Sequence, residues 1–184
     1  ALAADSDDFS FTDGVTDLPF SISFWANFDT FSATEPAFLV TKRGSGGKQE
    51  WQILFNTDET FMLGLASNGD FSSYLNANFP YTPTTGGTTW KHFTITYDGS
   101  ETFGGITMYA DGVSQTLTDS SVGTYLGMNN TTSTVNVGTF PNPTSIYEFD
   151  GKMDELHFWK NRELTSAEVL NIYTTELGGT SILP

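Results

Sequence analysis

Two neighbouring carboxylates, Asp154 and Glu155, stand in the stretch FDGKMDELHFW (Phe149 to Trp159), just after an Asp-Gly turn signal and inside a strand-like run. Paired carboxylates can serve a glycosidase as acid and nucleophile, hold a hard cation, or only accept hydrogen bonds. Successive residues of a strand point to opposite faces, so these two cannot flank one glycosidic bond together. Alternation groups Asp154 with Leu156 and Phe158, and Glu155 with Met153, His157 and Trp159. With Leu156 and Phe158 turned to the core, Asp154 heads a buried row and must be hydrogen-bonded, paired or metal-bound.

Two readings of Asp154 follow. In one it accepts hydrogen bonds from a turn or from the amino-terminal segment. In the other it binds calcium, which takes about six to eight hard oxygen ligands, some of them backbone carbonyls. The acidic cluster Asp5, Asp7, Asp8, Asp13 and Asp17 could supply the rest, and the expected metal ligands are Asp154, Asp13 and Asp17. One structural calcium ion is then the expected cofactor, with a calcium-dependent rise in melting temperature that Asp154→Ala removes.

Other chemistries find less support. The two histidines, His92 and His157, lie far apart in the chain with no metal-ligand spacing, and both read as satisfied or surface residues. No Gly-x-Ser-x-Gly elbow is present. The absence of cysteine excludes thiol catalysis, a disulfide scaffold and a cysteine-type zinc site. Gly44-Ser45-Gly46-Gly47 lacks the Lys-Ser/Thr of a phosphate loop and reads as a hairpin connection.

Sugar recognition needs aromatic faces for C–H stacking, with amides and charged groups nearby for the hydroxyls. The candidate ligand-binding residues are Trp51, Tyr74 and Tyr147 with Arg43, Gln49 and Asn76. Phe79, Tyr81, Tyr125 and Phe140 are further aromatics read as loop or loop-edge, and Asn68, Asp70 and Asn142 are further polar companions. Trp25, Trp90 and Trp159 read as packing residues.

The elements that must position these groups are mostly strands. Sixteen Phe, seven Tyr and 18 Gly favour strands and tight turns. Period-2 runs occur at Ser21 to Phe28, Ala37 to Lys42, Trp51 to Asn56, Thr60 to Ser67, Trp90 to Tyr97, Ile106 to Ala110 and Thr134 to Thr139. Asp-Gly and Asn-Gly pairs punctuate them, which predicts an antiparallel two-sheet sandwich occupying residues 1–184 as one domain. Thr165-Ser166-Ala167-Glu168 is a capping box, followed by an apolar stripe of Val169, Leu170, Ile172 and Tyr173. A single short C-terminal helix is expected there, docked on the sandwich because it is too short to stand alone.

The formal charge is −15, from 22 acidic against 7 basic residues. Such a field repels phosphate backbones, so nucleic acid is excluded as a partner. No apolar run is long enough to span a bilayer, so membrane insertion is not expected.

PFSISFWANF (Pro19 to Phe28), WKHFTITYDGS (Trp90 to Ser100), ITMYADGV (Ile106 to Val113) and FDGKMDELHFWKNRELTSAEVLNIY (Phe149 to Tyr173) occur in this order. Together they resemble the concanavalin A-like, laminin G-like jelly rolls, a superfamily that includes the pentraxins. The resemblance implies an all-β jelly roll of two antiparallel sheets, one concave, with binding loops along a rim. It also implies modules that bind glycans or proteins, some of which tie their first and last strands together through calcium. Two departures limit what carries over. The segment matching the pentraxin calcium loop, Thr139-Phe140-Pro141-Asn142-Pro143, has no carboxylate, and the Glu-x-Asp-x-Glu triplet of laminarinase-type relatives is absent.

The leading expectation is therefore a non-catalytic module for carbohydrate binding or adhesion on an extracellular, cell or virion surface, with a glycan or surface protein as partner. The alternative is a structural or protein-interaction domain, such as a phage capsid or tail decoration, and an oligomer or larger assembly is compatible with both.

Overall fold

A computed structural model describes residues 1–44, 46–67, 72–140 and 147–179. The strands are β1 (Leu2–Ala3), β2 (Phe20–Phe28), β3 (Ala37–Arg43), β4 (Gln49–Phe55), β5 (Thr60–Ala66), β6 (Tyr74–Pro80), β7 (Trp90–Tyr97), β8 (Ile106–Ala110), β9 (Val113–Ser114), β10 (Thr118–Asp119), β11 (Val135–Val137) and β12 (Gly151–Lys160), followed by the helix α1 (Ser166–Leu177). They form a seven-stranded sheet in the order β1-β11-β3-β4-β5-β6-β10 and a five-stranded sheet in the order β12-β2-β7-β8-β9. All the pairings within both sheets are antiparallel, as expected for a jelly-roll sandwich.

Alternation builds the core. Phe24 and Phe28 of β2 and Phe93 of β7 point inward from one sheet, and Phe55 of β4 and Phe61 of β5 point inward from the other. Their rings interlock, with Phe61 4.6 Å from Phe93 and Phe28 5.0 Å from Phe55 between centroids. Each such pair contributes about 0.5–1.5 kcal/mol beyond simple burial.

β6 corrects the sequence reading, which placed Tyr74 and Phe79 in or beside loops. Asparagine is a poor strand former and masks the period, yet Leu75, Ala77 and Phe79 face the core while Tyr74, Asn76 and Asn78 face outward. The capping box forms as read: the Thr165 hydroxyl accepts from the Glu168 amide, and the Glu168 carboxylate accepts from the Thr165 amide at 2.8 Å. The helix covers the outer face of the five-stranded sheet, where Val169 and Ile172 pack with Tyr109, Leu164 and Trp159. All nine residues of β2 are consequently buried, including the outward-facing Ser21, Ser23, Trp25 and Asn27.

Beneath the strand ends, Asp17 organises a polar knot. Its carboxylate accepts from Tyr97 Oη at 2.9 Å, Tyr125 Oη at 2.7 Å and the Met128 amide at 2.6 Å. Burial pushes the Asp17 carboxyl up from its ordinary value, and burial together with the Asp17 charge pushes both phenols up strongly. Asp17→Ala should lower the folding free energy by about 3 kcal/mol, because it strands several buried donors at once. Asp154→Ala should change it by less than about 0.5 kcal/mol, with calcium or with chelator, because that side chain is exposed. Urea denaturation of the two variants measures both.

Candidate functional site

The expected calcium ligands do not converge. Asp17 is saturated by protein donors. Asp13 is an exposed turn residue whose Oδ1 accepts the Val15 and Thr16 amides, each at 2.8 Å, and these bonds hold its carboxyl below the ordinary value. Asp154 pairs in register with Trp25, in the middle of β2, and its side chain is exposed rather than heading a buried row. The reason is a β-bulge. Asp154 faces Trp25 and His157 faces Ser23, so Glu155 and Leu156 together oppose Phe24 alone. Glu155 takes a left-handed backbone at φ 47° to make room. Parity reverses across it: Met153, Leu156 and Phe158 pack on the core, whereas Asp154 and His157 lie on the other side.

The aromatic and amide candidates gather on the outer face of the seven-stranded sheet and beneath it. Arg43, Gln49, Trp51 and Tyr74 line one tight crevice with Gln52 and Gly64. Tyr74 Oη donates to Gln49 Oε1 at 2.7 Å, and Arg43 Nη1 donates to Gln52 Oε1 at 2.6 Å. A Cβ at Gly64 would lie 2.8 Å from Asn76 Oδ1, so only glycine lets the neighbouring amides close over it. The Arg43 guanidinium also lies 4.5 Å over the Phe140 ring, which packs against the half-buried Tyr147.

This crevice is filled by its own side chains. Trp51 is a core residue, 1% exposed, whose indole donates to the Phe9 carbonyl at 2.9 Å, so it offers no stacking face. Gln49, Arg43 and Tyr74 are also buried, and burial holds the Arg43 guanidinium below its ordinary pKa. Asn76 is half-buried and its amide leans on the Ser120 carbonyl at 3.4 Å. The further companions Asn68, Asp70 and Asn142 fall outside the described residues, as does Ser45 of the glycine-rich connection.

An open cavity lies elsewhere, on the outer face of the five-stranded sheet beside the C-terminal end of α1. It has a volume of about 410 Å³ and is lined by Trp25, Trp90, Asp154, Glu155, Glu176 and Leu177. That volume is within the range of small-ligand clefts. Trp90 is 40% exposed, the most accessible of the four tryptophans, although its place in a strand motif reads as packing. Trp25 stacks on Tyr173 of the helix at 5.7 Å and donates from Nε1 to Glu176 Oε2 at 2.7 Å.

Both histidines reach the Glu176 carboxylate behind this cavity, although they lie far apart in the chain. His157 Nε2 lies 3.1 Å from Glu176 Oε1 and 3.3 Å from Glu155 Oε2, and His92 Nε2 lies 3.5 Å from Glu176 Oε2. Burial drives the His92 imidazole down to about 4 and raises the Glu176 carboxyl. Glu176 carries no motif of its own; its only sequence signal is an acidic residue at the carboxyl end of a helix, where the dipole disfavours one.

Two antiparallel sheets with this strand order define a jelly-roll sandwich. The chain belongs to the concanavalin A-like lectin/glucanases superfamily, whose laminin G family model matches residues 4–170. No curated protein matches it. Solved structures of similar fold include the binding domain of botulinum neurotoxin DC in complex with rat synaptotagmin II, at 14% identity and TM-score 0.64, covering 95% of this chain and 39% of that one. Another is botulinum neurotoxin type C, whose cell entry depends upon interaction with two ganglioside molecules, at 15% identity and TM-score 0.59, covering 86% and 36%. The receptor-binding domain of botulinum neurotoxin type G is similar at 16% identity and TM-score 0.60, covering 88% and 39%. The chain thus spans less than two-fifths of the length of these structures.

The depressed His92 pKa has a stability consequence. The unfolded chain takes up a proton near pH 6.5 that the folded chain refuses until about pH 4. The His92 contribution is therefore complete above pH 6.5, and about 3 kcal/mol of it is lost as the pH falls to 4. Glu176 acts in the opposite sense, its raised pKa favouring the fold at low pH. Urea midpoints in chelator should fall less steeply over this window in His92→Gln than in the wild type.

Proposed function

We propose that the chain is a non-catalytic recognition module that binds glycans at the cavity between Trp90 and the end of α1, at an extracellular, cell or virion surface. One observation carries this: the most exposed tryptophan stands at the mouth of the cavity beside the exposed Asp154 carboxylate. The indole face suits the C–H face of a sugar ring, and carboxylates accept from its hydroxyls. The superfamily and the ganglioside dependence of the type C neurotoxin support the reading.

The arrangement of Glu155 and Glu176 supports the non-catalytic reading. Retaining glycosidases hold two carboxyl groups about 5–5.5 Å apart across the scissile bond. Here Glu155 and Glu176 converge on the same imidazole nitrogen, which occupies the space a glycosidic bond would need.

The test is a glycan array followed by titration of the wild type and Trp90→Ala with the glycans retained. Loss of the indole should weaken binding at least about 10-fold, as for an anchoring aromatic, with the melting temperature little changed. A silent array, or equal binding by the variant, would count against the proposal. Stable oligomers in light scattering with no glycan bound would favour the structural or protein-interaction alternative.

A further inference from the structure

We propose that Glu155, His157 and Glu176 form a binding site for one divalent first-row transition-metal ion, of which Zn²⁺ is the probe. Among the described residues, these are the one group of three or more His, Asp and Glu side chains whose ligand atoms all lie within 4.8 Å of one another. The site is independent of the glycan reading, since it needs no sugar and uses neither Trp90 nor Asp154.

The spacing suits a small cation. Bonds of about 2.0–2.1 Å at the tetrahedral angle put neighbouring ligand atoms roughly 3.3 Å apart. The two distances from His157 Nε2 are 3.1 Å to Glu176 Oε1 and 3.3 Å to Glu155 Oε2. A protonated imidazole between two carboxylates would give similar separations, but it would aim its N–H at one of them. Neither His157 Nε2 nor Glu176 Oε1 has a hydrogen-bond partner, although the Glu176 side chain is 1% exposed and that of His157 9%. The ligand atoms of all three residues lie within 4.8 Å of one another, close enough for one ion to contact them together.

The surroundings hold the ligands in place. Trp25 Nε1 bonds the other Glu176 oxygen, Oε2, and leaves Oε1 turned toward His157, as outer-shell donors do for metal-bound carboxylates. Glu176 lies in the last turn of α1, which has no basic residue. The negative end of the helix dipole and an acidic side chain there both favour a cation. The bulge places Glu155 in a left-handed conformation that non-glycine residues rarely adopt. The donor set of one imidazole and two carboxylates suits a transition metal, whereas calcium prefers oxygen alone. Glu155 and Glu176 also line the open cavity, which gives an ion a path from solvent.

Glu155→Gly gives a test in which failure to fold is not a concern, because glycine adopts φ 47° freely and removes the carboxylate. Zn²⁺ titration of the metal-stripped protein, by calorimetry and by competition with a chromophoric chelator, should give one site per chain. Affinity should fall at least about 100-fold in Glu155→Gly and in His157→Gln, as expected for loss of a direct ligand. In chelator, Glu155→Gly should melt no lower than the wild type, and Zn²⁺ should raise the melting temperature of the wild type alone. With 22 acidic residues in the chain, an adventitious site would rest on surface carboxylates and would survive both substitutions. Retained affinity in both ligand variants would overturn the assignment. So would the absence of binding at millimolar Zn²⁺, or tighter binding of Ca²⁺ than of Zn²⁺.

Discussion

Between Asp154 and His157 the last strand carries one residue more than its partner, and the chemistry of the outer face depends on that surplus. Without the bulge, strict alternation would turn Asp154 inward alongside Leu156 and Phe158. With it, Met153 and Leu156 both reach the core, and Asp154 and His157 share the opposite side. The local cost is one glutamate held at positive φ. The return is a carboxylate and an imidazole placed under the end of a helix. Bulges are found where a strand must re-aim a side chain, and this one does so twice within four residues.

The helix completes what the bulge begins. Its apolar stripe of Val169 and Ile172 docks on Tyr109, Leu164 and Trp159, and Tyr173 stacks on Trp25. That docking encloses hydroxyl and imidazole groups on the outer face, among them Ser21, Thr94, Thr96 and His92, none of which is exposed. It also carries Glu176 to within reach of His157 and leaves an open cavity where the helix ends. The two sheets therefore differ in use. The seven-stranded sheet binds its outward amides and its arginine to one another, while the five-stranded sheet keeps an accessible tryptophan and carboxylates.

Much of the fold was legible in the sequence because its signals are local. Period-2 runs marked most of the long strands, and the capping box at Thr165 marked the start of the helix. β6 was hidden because Asn76 and Asn78 occupy its outward positions and dilute the strand signal. Trp51 illustrates the converse: its neighbours Gln49 and Glu50 suggest a polar edge, yet the register across from Leu65 turns the indole into the core. Little of the candidate site was legible. Trp90, His92, Glu155, His157 and Glu176 come from three elements; alternation links Glu155 with His157 and Trp90 with His92, but nothing along the chain brings the three elements together.

By itself the sequence determined the architecture and the charge: two antiparallel sheets, one terminal helix and a net charge of −15. Those properties follow from short-range alternation, turn chemistry, capping and total charge, all of which are written along the chain. Tertiary structure decided where the chemistry sits. An extra residue in one strand cannot be counted until the partner strand is known, so the direction of Asp154 could not be read from alternation. The meeting of Glu155 and His157 with Glu176, some twenty residues further on, depends on where the helix lands on the sheet. That landing is set by packing between surfaces distant in sequence.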